Sequence, residues 1–270
     1  MSRRGKQQRG VPLRSADEIA LSREAGGLAA RVLAMLAPHV QPGVSTGHLD
    51  RLCHDYIVDV LGCVPTNVGY GGFPGALCTS VNHVVCHGIP SAATVLKEGD
   101  IINLDVAVTT PRGWIGDTSR MYYVGEPGNQ ARRLVETTYE ALLAGIRAVK
   151  PGATLGDVGH AIQSIAERER FGVVRDYCGH GIGTVYHDEP QVLHYGQPGA
   201  GLLLEPGMIF TIEPMLTAGK ATTRELADGW TVITHDKSLS AQWEHMVAVT
   251  DSGFDVLTRW PDGTGDYPAI

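Results

Sequence analysis

The sequence is poor in the features that mark several classes of protein. Only 19% of its 270 residues are charged and 6% are aromatic. No stretch approaches the roughly 18 apolar residues of a transmembrane helix, so no membrane-spanning segment is expected. Lys and Arg number 22 against 29 Asp and Glu, a net charge of −7. This balance excludes a basic nucleic-acid-binding domain as the default interpretation.

Cysteine is also scarce, with five residues and no C-x-x-C spacing: Cys53, Cys63, Cys78, Cys86 and Cys178. An odd number of unpatterned cysteines argues against a disulfide framework and against a structural zinc site. The first residues are basic, but no apolar segment follows them, which is not typical of a secretory signal peptide. We therefore expect reduced thiols and a cytoplasmic protein.

The net charge conceals an asymmetry along the chain. Residues 1–14 contain five basic side chains and no acidic one: Arg3, Arg4, Lys6, Arg9 and Arg14. This segment predicts a solvated, flexible N-terminal arm. The remainder has 17 basic and 29 acidic residues, a net charge of −12. Such an excess suggests that some carboxylates are neutralised by something other than Lys or Arg.

Capping residues and hydrophobic periodicity predict helix pairs that alternate with groups of strands. Helices are predicted over residues 15–37, 45–61, 129–149 and 154–170. Strands are predicted over residues 77–85, 100–108, 114–124, 177–186, 208–215, 230–234 and 242–249. Residues 62–74, which are rich in Gly and Pro, predict a loop between the first helix pair and the first strands.

This order of elements occurs twice. Residues 40–47 resemble residues 149–156, with Gly43 and Gly152 separated by 109 positions, and Gly99 aligns with Gly207 at a separation of 108. Two short stretches can resemble each other by chance. The agreement of the two offsets nevertheless predicts a duplicated α+β unit, with joined sheets about a pseudo-twofold axis and helices on one face.

Four acidic residues lie within apolar segments that predict buried strands: Asp105, Asp117, Glu213 and Glu244. An unpaired carboxylate in such a setting costs several kcal/mol unless it is ion-paired or binds a metal. Asp105 lies six residues after Gly99, and Glu213 lies six residues after the aligned Gly207. A single such acid is more often a turn residue or the partner of an arginine. Four together predict that they converge near the pseudo-axis.

Three histidines supply a further type of metal ligand. His87, His180 and His187 each lie beside a glycine or a turn, where the backbone can approach a ligand closely; the alternative for each is a structural role. Four carboxylates and one imidazole suit two hard or borderline divalent cations. Bridging carboxylates hold such a pair about 3.5–4 Å apart with a hydroxide between them. A metal pair would account for the acidic excess.

Six short motifs give the sequence a specific resemblance. They are Cys-His-Gly-Ile-Pro at 86–90, Ile-Asn-Leu-Asp at 102–105, Gly-Asp-Thr-Ser-Arg at 116–120, Gly-His-Gly-Ile-Gly at 179–183, Thr-Ile-Glu-Pro-Met at 211–215 and Ala-Gln-Trp-Glu-His at 241–245. From about residue 13 to residue 257, the chain resembles the type I methionine aminopeptidases of the pita-bread fold. This resemblance implies an α+β fold in which two duplicated halves, each a helix pair with antiparallel sheet, enclose the active site.

The resemblance also implies a ligand set and a reaction. Asp105, Asp117, His180, Glu213 and Glu244 would bind two divalent ions (Co, Mn, Fe or Zn), with Asp117 and Glu244 bridging them. A hydroxide between the ions would attack the first peptide bond, and Glu213 would act as general base and proton shuttle. The enzyme would remove the initiator methionine from nascent proteins that have a small second residue.

Substrate contacts follow from the same resemblance. His187 would stabilise the oxyanion and His87 would contact the scissile amide. The pocket for the methionine side chain would comprise Tyr70, Phe73, Cys78, Tyr186, Met215 and Trp230. Tyr186 stands where the family usually has Phe, and Asn67 at the pocket rim is a variable position, so these two bear on fine substrate preference.

Other expectations concern organisation and partners. Residues 1–14 would form the arm and residues 15–270 one catalytic domain, with half-repeats at about 15–125 and 126–250. The arm offers a weak ribosome contact, and the family expectation is a monomer. Two alternatives are a prolidase or X-Pro aminopeptidase, and a pita-bread binding protein without activity. The first usually has an additional N-terminal domain, and the second loses metal ligands, whereas all five are present here.

Overall fold

The computed structural model describes residues 10–261. Its four α-helices are α1 (Ala16–Leu36), α2 (Thr46–Asp55), α3 (Asn129–Ala148) and α4 (Leu155–Arg168). Ser15 caps α1 and Thr154 caps α4, each through a reciprocal capping box. The four predicted helices are therefore confirmed, although a π-helical turn, Tyr56–Val60, replaces the last part of the second one.

Fifteen strands lie within the described residues. The first half contains β1 (Val64–Pro65), β2 (Cys78–Val81), β3 (Val84–Cys86), β4 (Ile101–Thr109) and β5 (Ile115–Tyr123). The second half contains β6 (Gly172–Val173), β7 (Gly179–Gly181), β8 (Asp188–Val192), β9 (Ile209–Ile212), β10 (Met215–Thr217), β11 (Thr223–Glu225), β12 (Val232–Thr234), β13 (Ser240–Gln242), β14 (His245–Val249) and β15 (Phe254–Val256).

Several predicted strands are shorter than the sequence indicates. The strand predicted over 77–85 divides into β2 and β3, which pair in different sheets; between them, Asn82 adopts a left-handed φ of 53°. Only β7 forms within the predicted strand 177–186. The strand predicted over 208–215 divides into β9 and β10 around Pro214, which cannot donate a backbone hydrogen bond. The short strands β1, β6, β8, β11 and β15 are not among the predicted ones, and β1 forms within the predicted loop 62–74.

The sheets are antiparallel at every pairing between the described strands. In the first half, β4 pairs with β5 on one edge and with β1 and β2 on the other. In the second half, the order β15-β14-β9-β7-β8 forms the largest sheet, and β13-β10-β6 and β11-β12-β3 form two smaller ones. Because β3 comes from the first half and β12 from the second, the two halves share a sheet.

The duplicated unit is visible in the turns. Gly43 and Gly152 have φ of 88° and 81°, and Gly99 and Gly207 have φ of 85° and 95°. The amide of Gly43 donates to Leu96, and that of Gly152 donates to Leu204. Glycine is required at these positions because a left-handed φ strains other residues. The two halves therefore repeat in conformation as well as in sequence.

The apolar core places the carboxylates on the opposite face from the helices. On β4, the alternate residues Ile102, Leu104, Val106 and Val108 pack with residues of α1 and α2. Successive side chains of a strand point to opposite faces, so Asp105 faces away from this helix pair. The second pair, α3 and α4, packs with residues of β9, β10 and β13 in a separate cluster.

The predicted N-terminal arm lies mostly outside the described residues, which begin at Gly10. Arg14 belongs to the folded body: its amide donates to Gly207 at 2.7 Å, and its guanidinium lies 5.4 Å from the Trp114 ring centroid. Across residues 10–261, no helix is long and apolar enough to cross a bilayer.

Candidate metal centre and active-site cavity

All five predicted metal ligands line one cavity of about 260 Å³. Each comes from a different strand or strand end. Asp105 lies on β4 and Asp117 on the neighbouring β5, and His180 is the central residue of β7. Glu213 directly follows β9, and Glu244 directly precedes β14. The cavity therefore lies where the central sheets of the two halves meet.

The ligand atoms are close to one another. His180 Nε2 lies 3.5 Å from Asp117 Oδ2 and 3.7 Å from Glu213 Oε1. One ligand atom each of Asp117, His180 and Glu244 lie within 4.8 Å of one another, a grouping suited to a metal ion. Asp105 and Glu213 do not belong to this closest group, but both face the same cavity.

The metal-free cavity is electrostatically unfavourable for ionised carboxylates. Burial and the charges of Asp117 and Glu213 raise the pKa of Asp105 well above its usual range, and Glu244 is raised in the same way. Burial raises the pKa of Glu213 to about 7, against the opposing charge of His180. Burial alone would lower the pKa of His180, but Asp117 and Glu213 raise it.

These residues fit divalent cations. No Lys or Arg is among the described residues that line the cavity, so no Lys or Arg side chain there offsets the four candidate ligand carboxylates. Asp117 Oδ1 is buried and finds no hydrogen-bond partner within residues 10–261. Carboxylate oxygens with one imidazole nitrogen form a donor set for Mn, Fe, Co or Zn.

The raised pKa values predict that the metal-free protein loses stability as pH rises. Glu213 binds its proton more tightly when folded, so its contribution is complete below pH 4.5 and is lost as pH rises through about 7. Glu213 alone lowers the unfolding free energy by about 3 kcal/mol over that range. Thermal unfolding with a chelator should follow this trend, and Mn²⁺ should raise Tm more at pH 8 than at pH 5.5.

Glu244→Gln removes one buried acid and should make the Tm of the metal-free protein less dependent on pH. Glu136→Gln is the matched control, since Glu136 is an exposed residue of α3, and it should leave the slope unchanged. An equal Mn²⁺-induced shift at both pH values would contradict the proposed carboxylate cluster.

The side chain of Glu213 is held by neighbours that the sequence interpretation did not include. Thr211 Oγ1 donates to Glu213 Oε1 at 2.9 Å and accepts from the His180 amide at 3.0 Å. Gln242 Nε2 donates to Glu213 Oε2 at 3.3 Å, and His194 contacts the Glu213 main chain. Thr211 and Gln242 lie within quoted motifs, a signal that could have found them, whereas His194 lies in none.

Two further histidines border the cavity, as predicted. His87 has a left-handed φ of 56°, which is uncommon outside glycine and is often found at functional sites. Burial lowers the pKa of His87, and burial together with His180 lowers the pKa of His187 to about 4. Both rings are therefore neutral near pH 7 and each offers one N–H donor.

The glycines beside His180 have a different role from the one predicted. A Cβ on Gly179 would collide with the Thr211 carbonyl, and one on Gly181 would collide with the Glu189 carbonyl. β7 is thus pressed between its neighbours β9 and β8. These glycines allow close strand packing, and His180 lines the cavity between them.

The six predicted pocket residues line the apolar part of the cavity: Tyr70, Phe73, Cys78, Tyr186, Met215 and Trp230. The Phe73 and Trp230 rings meet edge to face, with centroids 5.2 Å apart. Burial raises the pKa of the Cys78 thiol well above its usual range, so Cys78 is a protonated, unreactive wall residue at neutral pH.

Two hydrogen bonds join the loops on either side of the pocket. Tyr186, which stands where the family usually has Phe, donates from Oη to Asn67 Oδ1 at 2.7 Å. The additional hydroxyl of Tyr186 is therefore bonded to Asn67, the variable residue at the pocket rim. Tyr70 Oη lies 2.7 Å from His187 Nδ1. When that hydroxyl donates to Nδ1, the neutral His187 ring carries its proton on Nε2.

Known proteins match this chain over nearly its full length. Residues 20–251 match the model of metallopeptidase family M24. The chain is 52% identical to "Methionine aminopeptidase" of Escherichia coli (strain K12) over 260 residues, which cover 96% of this chain and 97% of the relative. It is 53% identical to the protein of the same name from Rickettsia prowazekii (strain Madrid E) over 247 residues, 91% and 94% of the two chains.

Solved structures agree with this assignment. The crystal structure of methionine aminopeptidase from Rickettsia prowazekii matches with a TM-score of 0.90 at 51% identity, covering 92% of this chain and 99% of that one. The prolidase from Pyrococcus horikoshii OT3 matches with a TM-score of 0.73 at 20% identity, over 65% of its own length, so it shares only the fold. The predicted pita-bread architecture is confirmed. The chain belongs to metallopeptidase family M24 and, within it, to the methionine aminopeptidases.

Proposed function

We propose that this protein hydrolyses the first peptide bond of polypeptides that begin with methionine and have a small second residue. The observation that carries the proposal is the single cavity in which five candidate metal ligands meet an apolar pocket. Its size of about 260 Å³ suits one thioether side chain and the adjoining peptide bond. The substrates would be the N-termini of nascent proteins.

The five residues Asp105, Asp117, His180, Glu213 and Glu244 would hold two divalent ions. Such ions supply Lewis-acid polarisation of the scissile carbonyl and a nucleophile at neutral pH. The carboxylate of Glu213, which faces the cavity, would accept a proton from the attacking water and donate it to the leaving amine. Thr211 and Gln242 hold its carboxylate in place.

The neutral histidines would act on the peptide bond itself. His187 donates from Nε2 to the carbonyl oxygen as negative charge develops there. His87, whose ring lies beside Tyr177 and Trp230 in the same cavity, would contact the scissile amide. The apolar wall excludes water from the methionine side chain and accepts its polarisable sulfur.

Peptide turnover tests this proposal. With Mn²⁺, Fe²⁺, Co²⁺ or Zn²⁺ added in turn, Met-Ala-Ser should release methionine, whereas Ala-Ala-Ser and Met-Trp-Ser should be cleaved far more slowly. Efficient cleavage of Ala-Pro with no cleavage of Met-Ala-Ser would favour a prolidase. Failure to cleave any of these peptides with every metal would favour a binding protein without activity.

Tyr70→Phe should lower kcat for Met-Ala-Ser by about tenfold, the factor expected for one lost hydrogen bond. The phenyl ring retains the pocket wall but no longer fixes the His187 tautomer, so KM should change little. Tyr186→Phe is the matched hydroxyl deletion, since its partner is Asn67 and not a proposed catalytic group. Equal losses of kcat in the two variants would contradict a role of Tyr70 through His187.

The basic residues of the arm suggest a weak contact with ribosomal RNA, limited to about five phosphates and therefore sensitive to salt. Deleting residues 2–9 should reduce ribosome co-sedimentation at low salt while leaving cleavage of Met-Ala-Ser intact. Replacing the arm with a neutral segment of equal length separates charge from length. Unchanged co-sedimentation would contradict the proposed contact.

We further propose a cytoplasmic monomer composed of a basic N-terminal arm and one catalytic domain that extends to residue 270, with half-repeats at about 15–125 and 126–250. The predicted arm, residues 1–14, is shortened at its end, because Arg14 packs in the folded body. The free thiols of all five cysteines support a reducing compartment. Light scattering tests the monomer and should give a mass near 28.8 kDa.

A further inference from the structure

The main chain at Glu213 lies in a gap between two sheets. Ile212, the last residue of β9, pairs with His245, and the next paired residue, Met215, joins Gln242 in a different sheet. Pro214 occupies the interval and has no amide hydrogen. The amide of Glu213 therefore has no partner in either strand register.

His194 provides the acceptor that the strands do not. The Glu213 amide donates to His194 Nε2 at 3.1 Å. Along β8, Glu189 and Gln191 are exposed while Pro190 and Val192 are buried. His194 continues this inward series two residues beyond the strand and is only 1% exposed.

The chemistry of the ring indicates why a histidine occupies this position. Because Nε2 accepts a hydrogen bond, the proton of the neutral ring lies on Nδ1. Nδ1 is buried and finds no hydrogen-bond partner within residues 10–261. An unsatisfied buried donor is unfavourable, and an apolar side chain of similar size would avoid it. The property that offsets this cost is the acceptor at Nε2.

We propose that His194 is a positioning residue that fixes the main chain of Glu213 so that its carboxylate stays aligned in the cavity. Thr211 and Gln242 orient the carboxylate, but neither bonds to the Glu213 backbone. His194 thus holds the main chain of Glu213, while Thr211 and Gln242 hold its carboxylate. The inference rests on the proposed proton-carrying role of Glu213.

The first half of the molecule shows why the second half needs this contact. Asp105, the counterpart of Glu213, lies inside the continuous strand β4 and pairs with Cys78 on one side and Ser119 on the other. Its backbone is fixed by strand pairing alone. At Glu213 the strand pairing is interrupted. The hydrogen bond to the His194 side chain takes the place of the missing backbone pairing.

Two substitutions of His194 separate the acceptor from the bulk of the ring. His194→Met fills the space with a thioether, which is a much weaker acceptor than the imidazole nitrogen, and His194→Gln retains an oxygen that can reach the Glu213 amide. We expect His194→Met to lower kcat for Met-Ala-Ser by about 10–100-fold with little change in KM, as is typical of residues that orient metal ligands. His194→Gln should restore kcat to within about threefold of the unmodified enzyme.

Amide hydrogen exchange at Glu213, measured by NMR on the metal-free protein, gives a readout that needs no turnover. Exchange should be about tenfold faster in His194→Met, the factor expected for one lost hydrogen bond, and near its original rate in His194→Gln. Val192→Ala is the matched control, since it loosens the buried face of β8 without touching the Glu213 amide. It should lower Tm but change neither the exchange at Glu213 nor kcat.

Equal losses of kcat in His194→Gln and His194→Met, or unchanged exchange at Glu213 in His194→Met, would overturn the inference. If His194→Met does not fold, His194→Asn replaces it, because its shorter side chain cannot reach the amide. Failure of the unmodified enzyme to release methionine would instead count against the proposed function. Because amide exchange is measured on the metal-free protein and needs no turnover, it tests the His194 contact even if the enzyme releases no methionine.

Discussion

Replacing Glu213 by Gln should lower kcat for Met-Ala-Ser by about 10³-fold, within the range found for the loss of a general acid–base group. Glutamine has nearly the same shape but can neither accept the proton of the attacking water nor return it to the leaving amine. It also offers a weaker metal ligand at a position 3.7 Å from His180 Nε2. Steady-state kinetics at saturating Mn²⁺ measure the effect.

The control for this substitution is Glu136→Gln, which makes the same chemical change on the exposed face of α3 and should leave kcat within about twofold. KM for Met-Ala-Ser should change little in Glu213→Gln, because the methionine pocket is untouched. If Glu213→Gln retained more than a tenth of the original kcat, a group other than Glu213 would carry the proton.

Replacing His180 by Ala should lower kcat/KM by at least about 100-fold at limiting metal, more than the 10–100-fold typical of residues that only support a ligand. His180 is the only nitrogen donor among the closely grouped candidate ligands. Its removal leaves the carboxylates of Asp117 and Glu213 without their nearest cationic partner. Titration calorimetry with Mn²⁺ should show weakened binding.

Excess metal should partly restore the activity of His180→Ala, since the four carboxylates remain. His160→Ala is the control, because His160 is an exposed histidine of α4, and it should bind Mn²⁺ as the unmodified protein does. Unchanged Mn²⁺ affinity in His180→Ala would contradict its place among the ligands.

Much of the site could be predicted because its residues lie in short, chemically unusual stretches. Acidic side chains within apolar strands, such as Asp105 and Glu244, are costly without a compensating charge, and that cost is readable from the sequence. The duplication was also readable, since Gly43 and Gly152 share a turn that demands glycine. The motif resemblance supplied the assignments to individual metals and the pocket, which residue patterns alone left open.

The support around the site could not be predicted from local pattern. His194 reaches Glu213 across 19 positions of sequence, and no local signal distinguishes it from an ordinary buried histidine. The glycines beside His180 have their role because β8 and β9 approach closely, and such approach depends on sheet order. Short strands such as β1 and β6 form through pairing with strands that are distant in the sequence, which overrides weak local propensity.

The measurement that tests the central claim most directly is methionine release from Met-Ala-Ser by the metal-free enzyme as Mn²⁺ is added stepwise. We expect no release with a chelator present and a rise in rate that is complete when about two ions are bound per chain, as a paired metal site requires. Release that persists in the chelator, or its absence at every level of Mn²⁺, would contradict the assignment of these residues to a metal-dependent aminopeptidase centre.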